Sequence, residues 1–257
     1  MSVLNGVVNK SLPFLKFHVN CARRYLPLFF FAVSLVGSLL KDLDVVPNSY
    51  FSSRRNLLNV YFVKVSWGWN LVLLIPFIYL SNSQNSSLIV VSKRLASLLV
   101  ATAIWYSCTE IFFYIENVTG ACYESDDMQT ILEGFGTKME CKNAGNNWYG
   151  FDISGHSFIL SYSTLLIVEE MVPMLYLVQD CQNRPKILDA LYLALTAITF
   201  IWVWMFACTS VYFHNLIQKI LGTGFGVLGW YVTYKVWYLN PFSPGLPSYH
   251  SEHKQQD

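Results

Sequence analysis

Charge is what this sequence has least of. Only 13% of its 257 residues are Asp, Glu, Lys or Arg, against about 25% in an ordinary soluble domain. Neither sign dominates: 17 basic and 16 acidic residues leave a formal net charge of +1. Nucleic-acid binding needs a basic excess, so that class of function is excluded. Cysteine is sparse too, and six over this length form no disulfide scaffold. No internal repeat is present, and low-complexity sequence is confined to the short polar stretch 82–87. No His, Cys and Asp residues stand at metal-site spacing, so neither a cofactor nor a tightly bound ion is expected.

What fills the chain is apolar surface. Apolar types make up 54% of residues and aromatics 16%, and the mean hydropathy is +0.38. A helix crossing the hydrocarbon core needs about 20 apolar residues. Six segments approach that length: residues 25–40, 57–80, 95–115, 156–178, 187–213 and 216–239. The first follows Lys16, Arg23 and Arg24 as a signal peptide would. No small-x-small cleavage site comes after it, so it reads as a retained span. The expected fold is therefore all-α, a polytopic helical bundle with six transmembrane spans. Residues 1–24 form an N-terminal tail, 25–239 the membrane domain with a long loop at 116–155, and 240–257 a polar, Pro-rich, flexible C-terminal tail.

Six spans put both termini on one side. If that side is cytosol, it holds Lys10, Lys16, Arg23, Arg24, Lys93, Arg94, Arg184, Lys186 and Lys254, against Lys41, Arg54, Arg55, Lys138 and Lys142 opposite. This is a weak positive-inside bias. The loop 116–155 carries Cys122 and Cys141, which read either as a disulfide in an oxidising lumen or as two free thiols. Asn117-Val118-Thr119 is a glycosylation sequon on the same side, close to the membrane; Asn85-Ser86-Ser87 matches the pattern but falls in cytosol.

Of five His residues, His18, His250 and His253 lie in polar tails. His156 opens the fourth span and His214 closes the fifth, so both face the lumen at similar depth. Each taken alone reads equally well as an interfacial anchor. The run Asp152-Ile153-Ser154-Gly155-His156 favours chemistry. Gly155 lets backbone N–H groups approach an anion, a helix N-terminus favours phosphate, and Ser154 adds a hydroxyl.

Ser-Gly-His followed by a second His at the end of the next span resembles the lipid phosphate phosphatase superfamily. More specifically, Phe151 to Phe158, Val168-Glu169-Glu170-Met171, Phe200-Ile201-Trp202-Val203, Val211-Tyr212-Phe213-His214-Asn215 and Phe242 to Pro247 are similar to the fat storage-inducing transmembrane protein family, type 2. That resemblance implies an endoplasmic reticulum membrane protein with cytosolic termini and a lumenal active site. It implies a diphosphatase that cleaves fatty acyl-CoA into acyl 4′-phosphopantetheine and adenosine 3′,5′-bisphosphate, with His214 as nucleophile and His156 as acid and base. It also implies support of lipid-droplet formation and ER integrity, and binding of triacylglycerol and diacylglycerol. Two other readings stay open: a non-catalytic protein that partitions neutral glycerolipid into droplets, and a lipid phosphate phosphatase.

The chain departs from the phosphatase pattern in instructive ways. Cys208-Thr209 and Gln218 stand where that superfamily has Ser-Arg and an orienting Asp around its nucleophile, and its upstream Lys…Arg-Pro signature is missing. The phosphate clamp is therefore unassigned, with Ser154, Gly155, Asn215 and Lys219 as candidates. A snorkelling or carboxylate-paired Lys219 is the blander alternative. Glu169 and Glu170 lie about 20 Å along the helix from His156. They read as a polar lipid site or as partners of Lys64 or another buried donor. Glu110 is a candidate to orient a histidine. Gly222 and Gly226 form a small-xxx-small packing face, and Pro76 and Pro173 mark kinks.

Overall fold

The computed structural model describes residues 3–83, 87–124, 130–180 and 185–247, with side chains from Arg23 onward except at 178–180. Asn85, Ser86, Asp126, Asp127, Arg184, His250, His253 and Lys254 lie outside the described residues, as do the side chains of Lys10, Lys16 and His18.

The chain is built mainly of helices: α1 (Val3–Asp42), α2 (Ser66–Ser83), α3 (Leu88–Val118), a short α4 (Lys138–Asn143), α5 (Gly155–Glu170), α6 (Val172–Asp180), α7 (Lys186–Tyr212) and α8 (Leu216–Trp230). Two three-residue strands, β1 (Ala121–Tyr123) and β2 (Asn147–Tyr149), pair antiparallel in the loop between α3 and α5. Among the described residues four helices are long and apolar enough to cross a membrane: residues 23–42 of α1, α3, residues 155–177 across α5 and α6, and α7. The other two expected spans are interrupted. A π-helical turn at Asn59–Val63 precedes α2, and another at Tyr231–Val236 follows α8. They leave continuous α-helices of 18 and 15 residues.

The central element is α5, and residues 155–177 are buried throughout the window that qualifies them as a span. It is enclosed by α1, α2, α7 and α8. A wholly enclosed apolar helix still needs neighbours that approach closely, and glycine supplies the approach to α8. A Cβ at Gly222 would sit 2.3 Å from the Ser154 carbonyl oxygen, and one at Gly226 only 2.4 Å from Ser161 Oγ. Polar side chains tie the same helices. Asn70 of α2 donates to Ser163 Oγ of α5 at 2.6 Å and accepts from the Trp202 indole of α7 at 3.2 Å. Gly226→Val is expected to overpack this seam at a cost of about 1–3 kcal/mol. Thermal unfolding in detergent should show a lowered Tm. Gly224→Ala, whose Cβ would meet nothing within 4 Å, should leave the Tm unchanged.

The break between α5 and α6 falls at Met171, and Pro173 sits in the first turn of α6, where a missing N–H costs no helical bond. Glu169 and Glu170, just before the break, are almost fully buried. Their partners are not Lys64. Glu169 is bound by Arg23 at 2.8 Å and Lys235 at 2.7 Å, and Glu170 by Arg94 at 2.6 Å. Arg94 also donates to the Gly245 carbonyl, and the Tyr234 hydroxyl to Glu170. One expectation is corrected here. The segment after Leu239 is packed rather than loose as far as Pro247: Ser243 is buried and Leu246 lies on the core, because Arg94 needs an acceptor that this segment supplies. The N-terminal stretch, expected as a tail at residues 1–24, is helical from Val3 and continuous with the first span.

Candidate active site

At the other end of the bundle the chain returns three times. Residues 43–65 link α1 to α2, residues 119–154 link α3 to α5, and residues 213–215 link α7 to α8. A disulfide joins Cys122 to Cys141 in the second link. That link is anchored to the end of α3: the Trp148 indole donates to the Glu116 carbonyl, and Lys138 pairs with the Glu116 carboxylate. Asn117 and Thr119 of the sequon are both engaged, Asn117 by the Lys138 N–H and Thr119 by the Phe151 N–H.

A cavity of about 450 Å³ opens beneath these links. Its polar wall consists of Arg54, Asn56, Asn59, Lys64, Glu116, Asp152, His156 and His214. The two histidines singled out in the sequence thus share one chamber.

Each imidazole is placed by a helix end. Ser154 is the N-cap of α5; its hydroxyl oxygen accepts from the Ser157 N–H at 3.2 Å and from the Ser157 hydroxyl at 2.9 Å. Asn215 is the N-cap of α8, where a capping box with Gln218 satisfies the first N–H groups. The Ser154 N–H then donates to the Gln218 carbonyl at 3.1 Å and locks the two helix starts together. His156 follows one cap and His214 precedes the other, so this crosslink fixes both rings.

His214 is held in the left-handed region at φ 55°. A non-glycine residue there stores about 1–3 kcal/mol unless its surroundings enforce it. Lys41 Nζ donates to the His214 carbonyl at 2.6 Å. Nδ1 of the ring lies 3.7 Å from Asp152 Oδ2, too long for a hydrogen bond but close for charge. Burial holds the His214 imidazole below its ordinary pKa, with Asp152 and the Gln218 side chain pulling the other way. Burial raises the Asp152 carboxyl above its usual range, opposed chiefly by His214.

The hydrogen-bond network assigns the tautomer of His156. Asn59 Nδ2 donates to the Arg54 carbonyl at 2.7 Å, which turns Asn59 Oδ1 toward the ring, 2.8 Å from His156 Nε2. Nε2 must therefore carry hydrogen, leaving Nδ1 as the atom that gains or loses a proton. Gly155 adds open space at the wall, with nothing within 4 Å of a Cβ built there. The first N–H groups of α5 face an anion favourably.

Among the candidates read from sequence, Gly155, His156 and His214 line the cavity. Ser154 stands behind it as a fully buried cap. Asn215 is exposed and caps α8. Lys219 is buried, with Nζ on the Ser210 carbonyl at 2.7 Å. Glu110 lies on the exposed face of α3; the carboxylates at the cavity are Asp152 and Glu116. Arg54, Asn59 and Lys64 were missed as site residues. Their one signal was a cluster of cations and amides around the start of an apolar run, at the end assigned to the histidines. The whole offers two imidazoles, a carboxylate beside one of them, and two cations, a set able to cleave a phosphorus–oxygen bond.

Comparison with known proteins adds independent information. The family model described as fat storage-inducing transmembrane protein matches residues 47–187 and 176–234. The chain is 62% identical over 231 residues to the acyl-coenzyme A diphosphatase FITM2 of Danio rerio, covering 90% of this chain and 91% of that one. It is 51% identical over 228 residues to the protein of the same name from Homo sapiens, covering 88% and 87%. Fat storage-inducing transmembrane protein 1 of Bos taurus is 32% identical over 241 residues, covering 91% and 82%. No solved structure matches the chain.

Proposed function

The chain belongs to the fat storage-inducing transmembrane protein family, and on that premise we propose that it is an acyl-CoA diphosphatase of the endoplasmic reticulum membrane. It cleaves fatty acyl-CoA into acyl 4′-phosphopantetheine and adenosine 3′,5′-bisphosphate and supports lipid-droplet formation and ER integrity. The observation that carries this reading is the shared cavity: His156 and His214, from different helices, line it together with Arg54, Lys64 and Asp152.

The same geometry supports a six-passage membrane arrangement. Counting each interrupted helix with its π-turn gives six passages: α1, residues 59–83, α3, α5 with α6, α7, and residues 216–236. The cavity end carries the disulfide, which belongs in an oxidising compartment, and this supports an active site facing the lumen with both termini in cytosol.

His214, with Nδ1 turned to Asp152, presents Nε2 to phosphorus. Attack on the phosphorus that bears the pantetheine arm forms an N–P bond and breaks the bond to the bridging oxygen. That oxygen leaves with adenosine 3′,5′-bisphosphate and takes a proton from His156 Nδ1. The same Nδ1 then accepts a proton from water, whose oxygen attacks phosphorus, releases acyl 4′-phosphopantetheine and frees His214. Arg54, Lys64 and the first N–H groups of α5 neutralise charge on the diphosphate.

The test is product analysis on the purified chain in vesicles with palmitoyl-CoA. Adenosine 3′,5′-bisphosphate and palmitoyl 4′-phosphopantetheine are expected in equal amounts. Turnover of phosphatidate to inorganic phosphate instead would move the protein to the lipid phosphate phosphatases. If a double histidine variant restored droplets in cells lacking the protein, lipid binding rather than hydrolysis would be its working function.

The pH dependence has a definite sign. The nucleophile must be unprotonated, and burial holds the His214 pKa below about 6.5. The acid limb of kcat/KM therefore lies below that value, and activity falls as pH drops through it. Asp152 stabilises the protonated ring, so Asp152→Asn shifts the limb to still lower pH. The same charge stabilises the cationic imidazole formed on attack. If that is worth about one pKa unit, kcat falls roughly tenfold. A limb that stays put in Asp152→Asn contradicts the pairing.

A further inference from the structure

The cavity is more than its chemistry requires. Beside the polar wall it has an apolar one, formed by Thr109, Phe112 and Phe113 of α3 and Met205 and Cys208 of α7. At 1.5 Å per residue, Phe113 to Thr109 lie about 7 to 14 Å inside the lumenal end of α3, and Cys208 to Met205 about 6 to 10 Å inside that of α7. The chamber thus runs from the histidines at the helix starts down into the apolar slab. A volume of about 450 Å³ suits a drug-sized ligand (about 300–1,000 Å³). It has room for a diphosphate and its pantetheine arm, and none for a long acyl chain in addition.

Two lining residues on the flank of the bundle are open to the surroundings. Phe113 is 57% exposed, whereas its neighbour Phe112 is buried. Lys64 is exposed in the link just before α2, between the exposed Tyr61 and Val65. Lys64 forms no ion pair among the described residues: of the carboxylates that share its cavity, Glu116 pairs with Lys138 and Asp152 faces His214. A cation without a partner at this depth is costly unless it serves an anion.

We propose that Lys64 and Phe113 frame a second mouth of the cavity, opening sideways to the bilayer, through which the acyl chain of the substrate remains in the lumenal leaflet while its diphosphate lies at the histidines. This rests on the acyl-CoA reading and deepens it into a specificity: the enzyme acts on diphosphates anchored in the membrane. Each methylene kept in lipid avoids transfer to water, so long chains are favoured over short ones. Lys64 draws the diphosphate inward from the headgroup region, and Phe113 lines the chain's exit.

Two measurements on the full chain in phosphatidylcholine vesicles test this. The first uses His214→Asn protein, which binds without turnover, and palmitoyl-CoA carrying a mid-chain diazirine. Photolysis should give adducts on residues 57–65 and 109–113. Adducts confined to the apolar groove between α1 and α7, at Val36 and Val211, or absent from residues 57–65 and 109–113, would overturn the proposal. The second measures Phe113→Trp, which narrows the mouth. The ratio of kcat/KM for palmitoyl-CoA over butyryl-CoA should fall about tenfold, and an unchanged ratio would count against it. Wild-type protein that labels on these segments yet cleaves the diphosphate of neither acyl-CoA would refute the reaction and leave the mouth standing. Cleavage with labelling elsewhere would do the reverse.

Discussion

His214→Asn should abolish acyl-CoA cleavage, with kcat/KM falling on the order of 10⁴-fold or more, as when a nucleophile is removed elsewhere. Asparagine is the informative replacement. Position 214 is held at φ 55°, and Asn tolerates that region better than Ala does. The Lys41 bond to the residue 214 carbonyl and the cap at Asn215 then survive, because both are made by backbone and by residues left unchanged. Loss of activity in a variant with an unaltered Tm is therefore chemical. His156→Ala should lose turnover as well, by a different route. With His214 intact, the adduct should form more slowly for want of the acid and, with no base to activate water, should persist once formed. Acid-labile label from substrate radiolabelled on the pantetheine side should be found on His156→Ala protein and be absent from His214→Asn. Full activity in either variant would remove that residue from the mechanism.

How much of this was legible beforehand depended on whether the signal was local. Ser154-Gly155-His156 could be read because a cap, a glycine and a histidine at a helix start are neighbours in sequence. Gly222 and Gly226 could be read because helical spacing alone puts them on one face, and they meet α5 as a small-residue stripe should. Glu169 and Glu170 announced that buried donors must exist, since such carboxylates are costly alone. Which donors could not be read. Arg23, Arg94 and Lys235 come from three other segments, and the choice between them and Lys64 depends on helix order around α5. The π-turns at Asn59–Val63 and Tyr231–Val236 had no sequence marker either. The first matters for function, because Asn59, whose amide orients His156, lies within it. Asp152 was in plain view two residues before Ser154, but its pairing with His214 required α5 and α8 to start side by side.

For the unassigned phosphate clamp the cavity offers Arg54, and Arg54→Ala carries the second large expected effect. Arg54 lines the cavity with both histidines, and its guanidinium lies 5.9 Å from the centre of the Phe213 ring, next to the nucleophile. Phosphoanhydride cleavage builds charge on non-bridging oxygens, and an arginine aimed at them contributes about 10³-fold or more in related transfers. A loss of about 10²- to 10³-fold in kcat/KM is expected, allowing for the part that Lys64 and the helix N-terminus retain. The substitution is a clean one. Asn59 is held by the backbone carbonyl of residue 54, not by its side chain, so Arg54→Ala leaves the His156 tautomer in place. Arg54→Lys should recover only part of the rate, since it keeps the charge but loses the planar fork. Arg55→Ala, one residue on and absent from the cavity wall, should behave as wild type. If Arg54→Ala kept full activity while Lys219→Ala lost it without a fall in Tm, the clamp would be Lys219. The buried bond from Lys219 to Ser210 would then have to open during turnover.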